Sequence, residues 1–372
     1  MVKLFEDKER TNLNYAKHQH DSYDFYDNSA IEDFVKARNM LNDWFARYPN
    51  SGKWQLKRDF QSQFDSAFFE LFIHELFFQQ GFILTPHPIV PNSTKNPDFL
   101  ARKGDLEIYL EAKIATDESK EEKSLRNKHN AIYDLIEKIH CPDYWVSVRE
   151  ITFLSSNQAK LNLLKSSLEI AIKENGSERA VSKNDNYYEK RDKYITYQDD
   201  DILVSISLFP ASIKKSRTLG TTLVGSFIGG CDDSIRRAIK DKGSKYGSLD
   251  KPFIVCINSL SGKGISTEDV YNALLGTQRN ILFENFNNEN QDYSTSSDGL
   301  FDNSSLHKYT TVSGFLITRA FPTNTKVAYH WLIKHPHSKN EFDFEKLDLS
   351  YIQVQENKIG KVIKKTIGEI II

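Results

Sequence analysis

The feature that most constrains the fold of this chain is a pair of short apolar runs within residues 98–114, separated by a Lys-Gly-Asp turn. The runs read DFLAR and LEIYLEAKI, which is typical of two antiparallel strands joined by a tight turn. In the second run polar and apolar residues alternate, so that Glu107, Tyr109, Glu111 and Lys113 share one face. The pattern therefore predicts a hairpin in a sheet with one apolar face and one face that carries acids and a lysine.

The polar face of this hairpin brings three chemically useful side chains towards one place. Glu111 and Lys113 lie one pleat apart, and antiparallel pairing carries Asp98, at the start of the first strand, towards them. Two convergent carboxylates suit a hard cation such as Mg²⁺. A neighbouring lysine can hold an attacking water or stabilise the charge that builds on a phosphate. The alternative interpretation is an edge hairpin whose charges are merely solvated.

Pro97-Asp98, followed by Glu-x-Lys at Glu111 and Lys113, resembles the signature of the PD-(D/E)XK nuclease superfamily. The resemblance implies an α/β fold of restriction-endonuclease-like type, a mixed sheet flanked by helices, here with a long α+β insertion. It also implies hydrolysis of phosphodiester bonds with Mg²⁺ as cofactor, for which Mn²⁺ should substitute. Asp98 and Glu111 would be catalytic metal ligands, and Lys113 the catalytic lysine. The order of elements over about residues 30–335 is similar to that of bacterial nuclease-like proteins.

A predicted helix over about residues 60–80 precedes the hairpin and offers a third acid. Helical spacing collects its polar residues into two narrow stripes, one of Ser66, Glu70 and His74 and the other of Asp65, Glu75 and Gln79. Glu70 lies 11 residues before Gly81 (81 − 70 = 11), a spacing similar to that of the helix acid in archaeal Holliday-junction resolvases. The resemblance implies that Glu70 is a catalytic metal ligand, with Glu75 as the reserve candidate. A solvated helix face is the alternative for either residue.

A second predicted helix, at about residues 233–246, places a lysine within an apolar stripe. The apolar side of this helix is formed by Ile235, Ala238, Ile239 and Tyr246. Lys242 falls inside the stripe and needs carboxylates or a phosphate as partners, because an unpaired buried ammonium is unfavourable. The resemblance implies a catalytic role for such an inward lysine. Alternatively, its stem lies along the core and its charge reaches water.

The same helix carries a local excess of positive charge. The residues concerned are Arg236, Arg237, Lys240, Lys242 and Lys245, which with Asp241 give a local charge of +4. We expect Arg236, Arg237 and Lys240 to point away from the core and to form, with Lys245, a nucleic-acid-binding surface. The alternative is a charged helix face that is only solvated.

The pattern of elements divides the chain into five segments. They are residues 1–60 as an N-terminal arm and helix, 61–135 as the first part of the nuclease core, 136–230 as an insertion, 231–340 as the second part of the core and 341–372 as a C-terminal segment. Residues 1–27 show no clear period and are expected to form a loosely ordered arm. Residues 220–230 and 285–305 are expected to be loops.

Bulk properties limit the expected partners. The chain has 372 residues and a formal net charge of −2, so no global basic field indicates nucleic acid. Its three cysteines lie far apart, which argues against a zinc site or a disulfide framework and fits a reducing compartment. The first residues lack a signal-peptide pattern, and the apolar runs are too short to span a bilayer. We therefore expect a cytoplasmic protein with no membrane partner.

Together these observations predict a metal-dependent endonuclease that hydrolyses DNA, in restriction or antiphage defence. Its expected partner is nucleic acid, most simply DNA, and a homodimer is an assembly that the sequence allows. An RNase is one alternative. Another is a nuclease-like module for nucleic-acid binding or assembly that does not cleave, although the intact set of Asp98, Glu111 and Lys113 counts against a decayed copy.

Overall fold

The chain forms two compact units, seen in a computed structural model. The described residues are 2–14, 21–91, 93–116, 120–155, 157–180, 193–211, 218–220, 231–243, 245–261, 264–276, 299–301, 308–355 and 358–371. Within these ranges, the first unit is built from Met1–Asn14, Asp21–Asp117 and Phe227–Ile372, and the second from Glu118–Ser226. The two segments expected to be loops, 220–230 and 285–305, lie largely outside the described residues.

Helices and strands occur throughout the described ranges. The helices are α1 (Ser22–Asn28), α2 (Glu32–Arg47), α3 (Lys53–Ser62), α4 (Phe64–Phe78), α5 (Lys120–Glu137), α6 (Leu161–Arg179), α7 (Asp232–Gly243), α8 (Thr267–Leu275) and α9 (Ile367–Ile370). The strands are β1 (Ile83–Pro86), β2 (Phe99–Lys103), β3 (Leu106–Ala115), β4 (Tyr144–Phe153), β5 (Ile195–Gln198), β6 (Ile202–Pro210), β7 (Phe253–Ser259), β8 (Gly314–Thr318), β9 (His330–Lys334), β10 (Tyr351–Gln355) and β11 (Lys358–Val362).

The first unit is built on one eight-stranded sheet, in the order β1-β2-β3-β7-β8-β9-β10-β11. Strands β3, β7 and β8 run parallel, as do β9 and β10, whereas the other neighbours are antiparallel. Strand β7 is buried at every position, because both faces of the sheet are covered at its centre. The predicted α/β architecture, a mixed sheet flanked by helices, is therefore confirmed.

Each face of this sheet packs against its own group of helices. Leu110 and Ile254 point to the face covered by α2, α3 and α4, where phenylalanines of α4 fill much of the core. Tyr109 points to the other face, whose core is shared with α7 and α8. Because successive strand residues point to opposite faces, Glu111 and Lys113 lie on the same side as α7.

The predicted hairpin is confirmed. Strands β2 and β3 pair antiparallel, with Phe99 opposite Leu110. The turn between them contains Gly104, whose φ of +58° is a backbone conformation that residues with a side chain rarely adopt. This register sets Asp98, the residue just before β2, beside Glu111 of β3.

The prediction of a loosely ordered arm is wrong for the described part of residues 1–27. Leu4 and Phe5 are fully buried, and the hydroxyl of Tyr23 in α1 donates a hydrogen bond to the carbonyl oxygen of Leu4 over 2.8 Å. Helix α1 begins after Asp21, whose side chain accepts a hydrogen bond from a backbone N–H of the first turn. The segment lacks a helical period because its apolar side chains are contributed by short packed stretches rather than by one long helix.

Two other predicted segments differ from the structure. The single helix expected over 60–80 is two helices: α3 ends at Ser62 and α4 begins at Phe64, with Gln63 outside helical geometry between them (φ −143°, ψ 56°). The C-terminal segment 341–372 supplies β10 and β11 to the edge of the central sheet, so it is part of the core sheet.

The second unit contains an antiparallel three-stranded sheet in the order β4-β6-β5. Ile136 of α5 and Leu168 of α6 share one hydrophobic core with Val204 of β6. Because α5 belongs to this core, the unit begins at Glu118, earlier than residue 136, where the predicted insertion starts. Among the described helices of the whole chain, none is long and apolar enough to cross a membrane.

Candidate active site

A cleft of about 380 Å³ lies at the end of the central sheet where β2 begins and β3 ends. Its walls come from α3, α4 and α7 together with these strands. The charged side chains that line it are Asp59, Glu70, Asp98, Lys113 and Lys242. Four of the five residues predicted to be catalytic therefore share one cavity, and the fifth, Glu111, is fully buried in contact with Lys242.

Asp98 is held beside β3 by the backbone. Its Oδ2 accepts a hydrogen bond from the N–H of Ala112 over 2.6 Å. Burial raises the pKa of Asp98 to about 7, and the charges of Glu111 and Glu70 add to the increase. The Ala112 hydrogen bond and the charge of Lys242 act in the opposite direction without outweighing it. The convergence of Asp98 with Glu111 that the hairpin predicted is thus present in the structure.

Glu70 enters the cleft from α4. Its Oε1 accepts a hydrogen bond from the hydroxyl of Tyr48 over 2.6 Å. Burial raises the pKa of Glu70 to about 7; the Tyr48 hydrogen bond opposes the increase, whereas the charges of Asp59 and Glu111 add to it. Two carboxyl groups of the cleft therefore titrate near neutral pH, because both are removed from water and face other acids.

The two polar stripes of α4 have different surroundings. Ser66 and Glu70 line the cleft, and His74, further along their stripe, is buried, which lowers its pKa to about 4. Glu75 of the other stripe is fully buried and accepts hydrogen bonds from the Arg47 guanidinium over 2.7 and 3.2 Å. The structure thus brings Glu70 to the cleft and gives Glu75, the reserve candidate, an ion pair elsewhere on the helix.

Glu111 is neutralised by side chains in and just after α7. Its Oε1 contacts the ammonium groups of Lys242 and Lys245, the second over 3.1 Å. Its Oε2 accepts a hydrogen bond from the hydroxyl of Tyr246. Burial acts to lower the pKa of Lys242, but the charge and hydrogen bond of Glu111 outweigh it, so that the pKa is raised. Lys242 therefore points inward to a carboxylate, as its place in the apolar stripe predicted.

Lys113 lines the cleft from the end of β3 with 33% of its side chain exposed. Its Nζ lies 3.4 Å from Oδ2 of Asp241 on α7, and the side chain of Asp241 is 63% exposed. Such an exposed ion pair contributes little to stability. The ammonium of Lys113 is therefore able to turn towards an anion that enters the cleft.

The predicted basic surface is only partly present. Arg236 is buried; its guanidinium contacts Asp232 and Asp233 at 2.9 Å and donates to the carbonyl oxygen of Asn272 over 2.7 Å, which braces α7 against α8. The prediction that Arg236 faces a nucleic acid is therefore wrong, because acids three and four residues earlier and the neighbouring helix α8 take up its charge.

The other predicted basic residues divide into two groups. The ammonium of Lys245 contacts Glu111 over 3.1 Å, with 27% of its side chain exposed, so it points towards the acid cluster, and burial lowers its pKa. Arg237 and Lys240 are exposed on α7, as predicted. The positive surface that α7 offers to a phosphate backbone therefore has fewer charges than the sequence suggested.

The predicted metal ligands do not form a ready-made cage. Among the described residues, no group of three or more His, Cys, Asp or Glu side chains is arranged to hold a metal ion. The contacts of Glu111 supply the physical reason, since both of its oxygens are taken by lysines and a tyrosine, whereas Glu70 and Asp98 face the cleft.

Sequence reasoning missed the residues that hold these acids in place. Tyr246 was recognised only as part of an apolar stripe, although a buried tyrosine hydroxyl usually has a polar partner, and that signal points to an acid such as Glu111. Tyr48 follows directly after α2, and no local pattern connects it with Glu70. Asp59 lies on α3 just before the helix predicted over about 60–80 begins, so the helical stripes did not include it.

The arrangement has a definite chemical capacity. Buried carboxylates with a pKa near 7 can take up a proton or a cation, and neighbouring ammonium groups can stabilise an oxyanion. Both kinds of group are drawn here from elements far apart in the sequence.

Comparison of the chain with protein-family models, with curated proteins and with solved structures found no match.

Proposed function

We propose that this chain is a Mg²⁺-dependent phosphodiester hydrolase that cleaves DNA, with a nuclease core of the PD-(D/E)XK, restriction-endonuclease-like type. One observation carries the proposal. Glu70 and Asp98 face a single cleft beside Glu111, with two pKa values raised to about 7, and lysines from β3 and α7 reach the same place. Such buried acid clusters occur at functional sites, where an enzyme tunes ionisation.

The donor set fits a hard divalent cation. When all three acids are ionised, three carboxylates face the two ammonium groups of Lys242 and Lys245, which leaves the cluster with a formal charge of −1. A divalent cation would change this to +1, and a phosphodiester with one negative charge would balance it. Carboxylate oxygens are the ligands that Mg²⁺ prefers. Asp98, Glu111 and Glu70 would hold the ion, with Lys242 leaving Glu111.

The residues around such an ion would have different roles in the reaction. Bound Mg²⁺ polarises a phosphate and makes a coordinated water more acidic. Lys113, released from its exposed partner Asp241, would stabilise the negative charge that develops on the phosphate. Lys242 would exchange the carboxylate of Glu111 for a phosphate oxygen. Glu70, positioned by the Tyr48 hydroxyl, would stay ionised as a ligand of the ion.

Exposed Arg237 and Lys240 on α7 would contact the backbone of the substrate outside the cleft. The expected setting is the cytoplasm, in restriction or antiphage defence, because an endonuclease of this kind meets foreign DNA there. This setting follows from the proposed class of enzyme.

The proposal is tested with plasmid DNA, purified protein and Mg²⁺, Mn²⁺ or EDTA. Wild type should nick or cut the plasmid with either cation and not in EDTA, and Glu111→Ala should be inactive. Glu107→Ala is the matched control, since Glu107 lies on the same strand and face but pairs with Arg102 at the protein surface. Full cleavage activity in EDTA, or cleavage by Glu111→Ala at the wild-type rate, would contradict the metal mechanism. A parallel assay with RNA as the substrate distinguishes a deoxyribonuclease from a ribonuclease.

One observation favours the non-cleaving alternative. Glu111, a required ligand, is already satisfied by Lys242, Lys245 and Tyr246, so the same geometry suits a stable core that binds nucleic acid without a metal. A protein that binds DNA in EDTA and in Mg²⁺ alike, and cleaves neither DNA nor RNA with Mg²⁺ or Mn²⁺, would establish that function instead.

A further inference from the structure

A second cleft in the first unit combines an exposed tyrosine ring with lysines. It encloses about 430 Å³. Tyr329 and Trp331 form part of its wall, with their rings stacked at a centroid separation of 6.5 Å and an interplanar angle of 28°. Trp331 is fixed by a hydrogen bond from its Nε1 to Oγ1 of Thr267 over 3.1 Å, whereas Tyr329 is 77% exposed. The exposed ring of Tyr329 is therefore backed by the buried, hydrogen-bonded ring of Trp331.

The charge of this cleft narrows the kind of ligand. Lys326 and Lys361 are exposed and line it, and the described residues of its lining include no carboxylate. A ring platform flanked by ammonium groups fits the bases and phosphates of an unpaired nucleic-acid strand, since base stacking on aromatic side chains is tolerant of sequence. Paired bases in a duplex are stacked on one another and do not present their faces in this way.

The register of the sheet places this cleft in line with the candidate active site. Lys113 lies opposite Ile257, which lies opposite Ile317, which in turn lies opposite Trp331. The three apolar members are buried in the core on the α7 and α8 side, so the row gives the separation of the two clefts and is not itself a ligand surface. Three strand spacings separate its ends, about 14 Å. Arg319 follows the intervening strand β8, and its guanidinium donates a hydrogen bond to the carbonyl oxygen of Ser261 over 3.3 Å.

We propose that the Tyr329–Trp331 cleft binds an unpaired strand of nucleic acid by base stacking, with phosphates held by Lys326 and Lys361. The connection to cleavage rests on the proposed function: the scissile phosphate would lie at Lys113, and single-stranded nucleic acid flanking it would reach the stacked rings. A single strand, or a duplex with an unpaired flank, is then the preferred substrate over a continuous duplex.

The test is a binding isotherm in EDTA, which needs no cleavage. Fluorescein-labelled oligothymidylate, oligouridylate and a duplex of mixed sequence are titrated with protein and followed by fluorescence anisotropy. Tyr329→Ala should weaken single-strand binding by at least about fivefold, the loss expected for one stacked base, whereas Tyr329→Phe should retain it. The two oligonucleotides distinguish DNA from RNA as the ligand, and duplex binding should change less than single-strand binding.

Matched controls make the outcome decisive. Lys361→Ala should also weaken single-strand binding, because it removes a proposed phosphate contact. Trp54→Ala, at another exposed ring (67% exposed on α3), is the control for Tyr329→Ala. Lys339→Ala, at another exposed lysine, is the control for Lys361→Ala, and neither control should weaken binding in this way. Unchanged single-strand binding by Tyr329→Ala, or an equal loss in Trp54→Ala, would overturn the stacking site. A strand bound through Tyr329 but never cleaved with Mg²⁺ would instead refute the proposed function alone.

Discussion

Replacing Asp98 with asparagine should stabilise the metal-free protein at pH 8, although it removes a proposed metal ligand. The pKa of Asp98 rises from its ordinary value of 3.8 to about 7 in the fold. Because the folded carboxyl group binds its proton more tightly than the unfolded one, the free energy of unfolding falls as pH increases from about 4 to about 7. An asparagine stays neutral throughout and can still accept the Ala112 hydrogen bond.

The difference between 3.8 and about 7 corresponds to roughly 4 kcal/mol at pH 8. Glu70 contributes to the same repulsion, so part of this destabilisation disappears through its own protonation, and we expect a gain of about 2 kcal/mol from the single substitution. The gain should shrink by more than half at pH 5, where Asp98 is largely protonated in the folded protein.

Urea unfolding of wild type and Asp98→Asn at pH 5 and pH 8, in EDTA, measures this gain. Asp250→Asn is a control of opposite sign, because a hydrogen bond from Lys251 lowers the pKa of Asp250. The stability that the Asp250 carboxylate contributes is present above the pKa of this group in the unfolded chain and is lost as pH falls. Asp250→Asn should therefore be less stable than wild type at pH 8. A less stable Asp98→Asn protein at pH 8, or an equal difference at both pH values, would refute the reasoning.

Three further predictions concern the neighbouring side chains. Lys113→Ala should slow single-turnover cleavage on the order of 10²–10³-fold with unchanged DNA affinity in Ca²⁺, whereas Lys103→Ala, on the next strand, should alter neither; wild-type cleavage by Lys113→Ala contradicts the assigned role. Glu70→Gln should reduce cleavage more than Glu75→Gln, which should instead lower stability by about 1–3 kcal/mol by weakening the hydrogen bonds between buried Glu75 and the partly exposed Arg47; the reverse order in both assays would show that the wrong stripe was chosen. Lys242→Met should lower the melting temperature more in EDTA than in Mg²⁺, because a cation can replace the lost ammonium, and an equal loss in both would argue against a cation beside Glu111.

The sequence predicted those parts of the site that depend on local patterns. Strand alternation alone puts Glu111 and Lys113 on one face, and a tight turn at Gly104 sets Asp98 beside them. The inward direction of Lys242 follows equally from helical spacing. These features require only the geometry of one strand pair or one helix, which the order of residues determines.

The remaining features depend on packing between distant segments. Arg236 was assigned to the surface because its helix position is polar, but α8 packs against it and accepts its hydrogen bond through Asn272. Tyr48 reaches Glu70 only because α2 lies against α4 in the folded unit. Leu4 and Phe5 are buried by contacts that no local period reveals. Each of these contacts pairs residues from separate elements, and a single sequence does not specify which elements meet.

The most direct test of the proposed cation centre is Mn²⁺ binding to the purified protein at pH 8, followed through the loss of the EPR signal of free Mn²⁺. Wild type and Glu107→Gln should bind the ion, because Glu107 pairs with Arg102 away from the cleft, and Asp98→Asn should bind it far more weakly. Equal binding by Asp98→Asn and wild type, or no binding by wild type, would contradict the account.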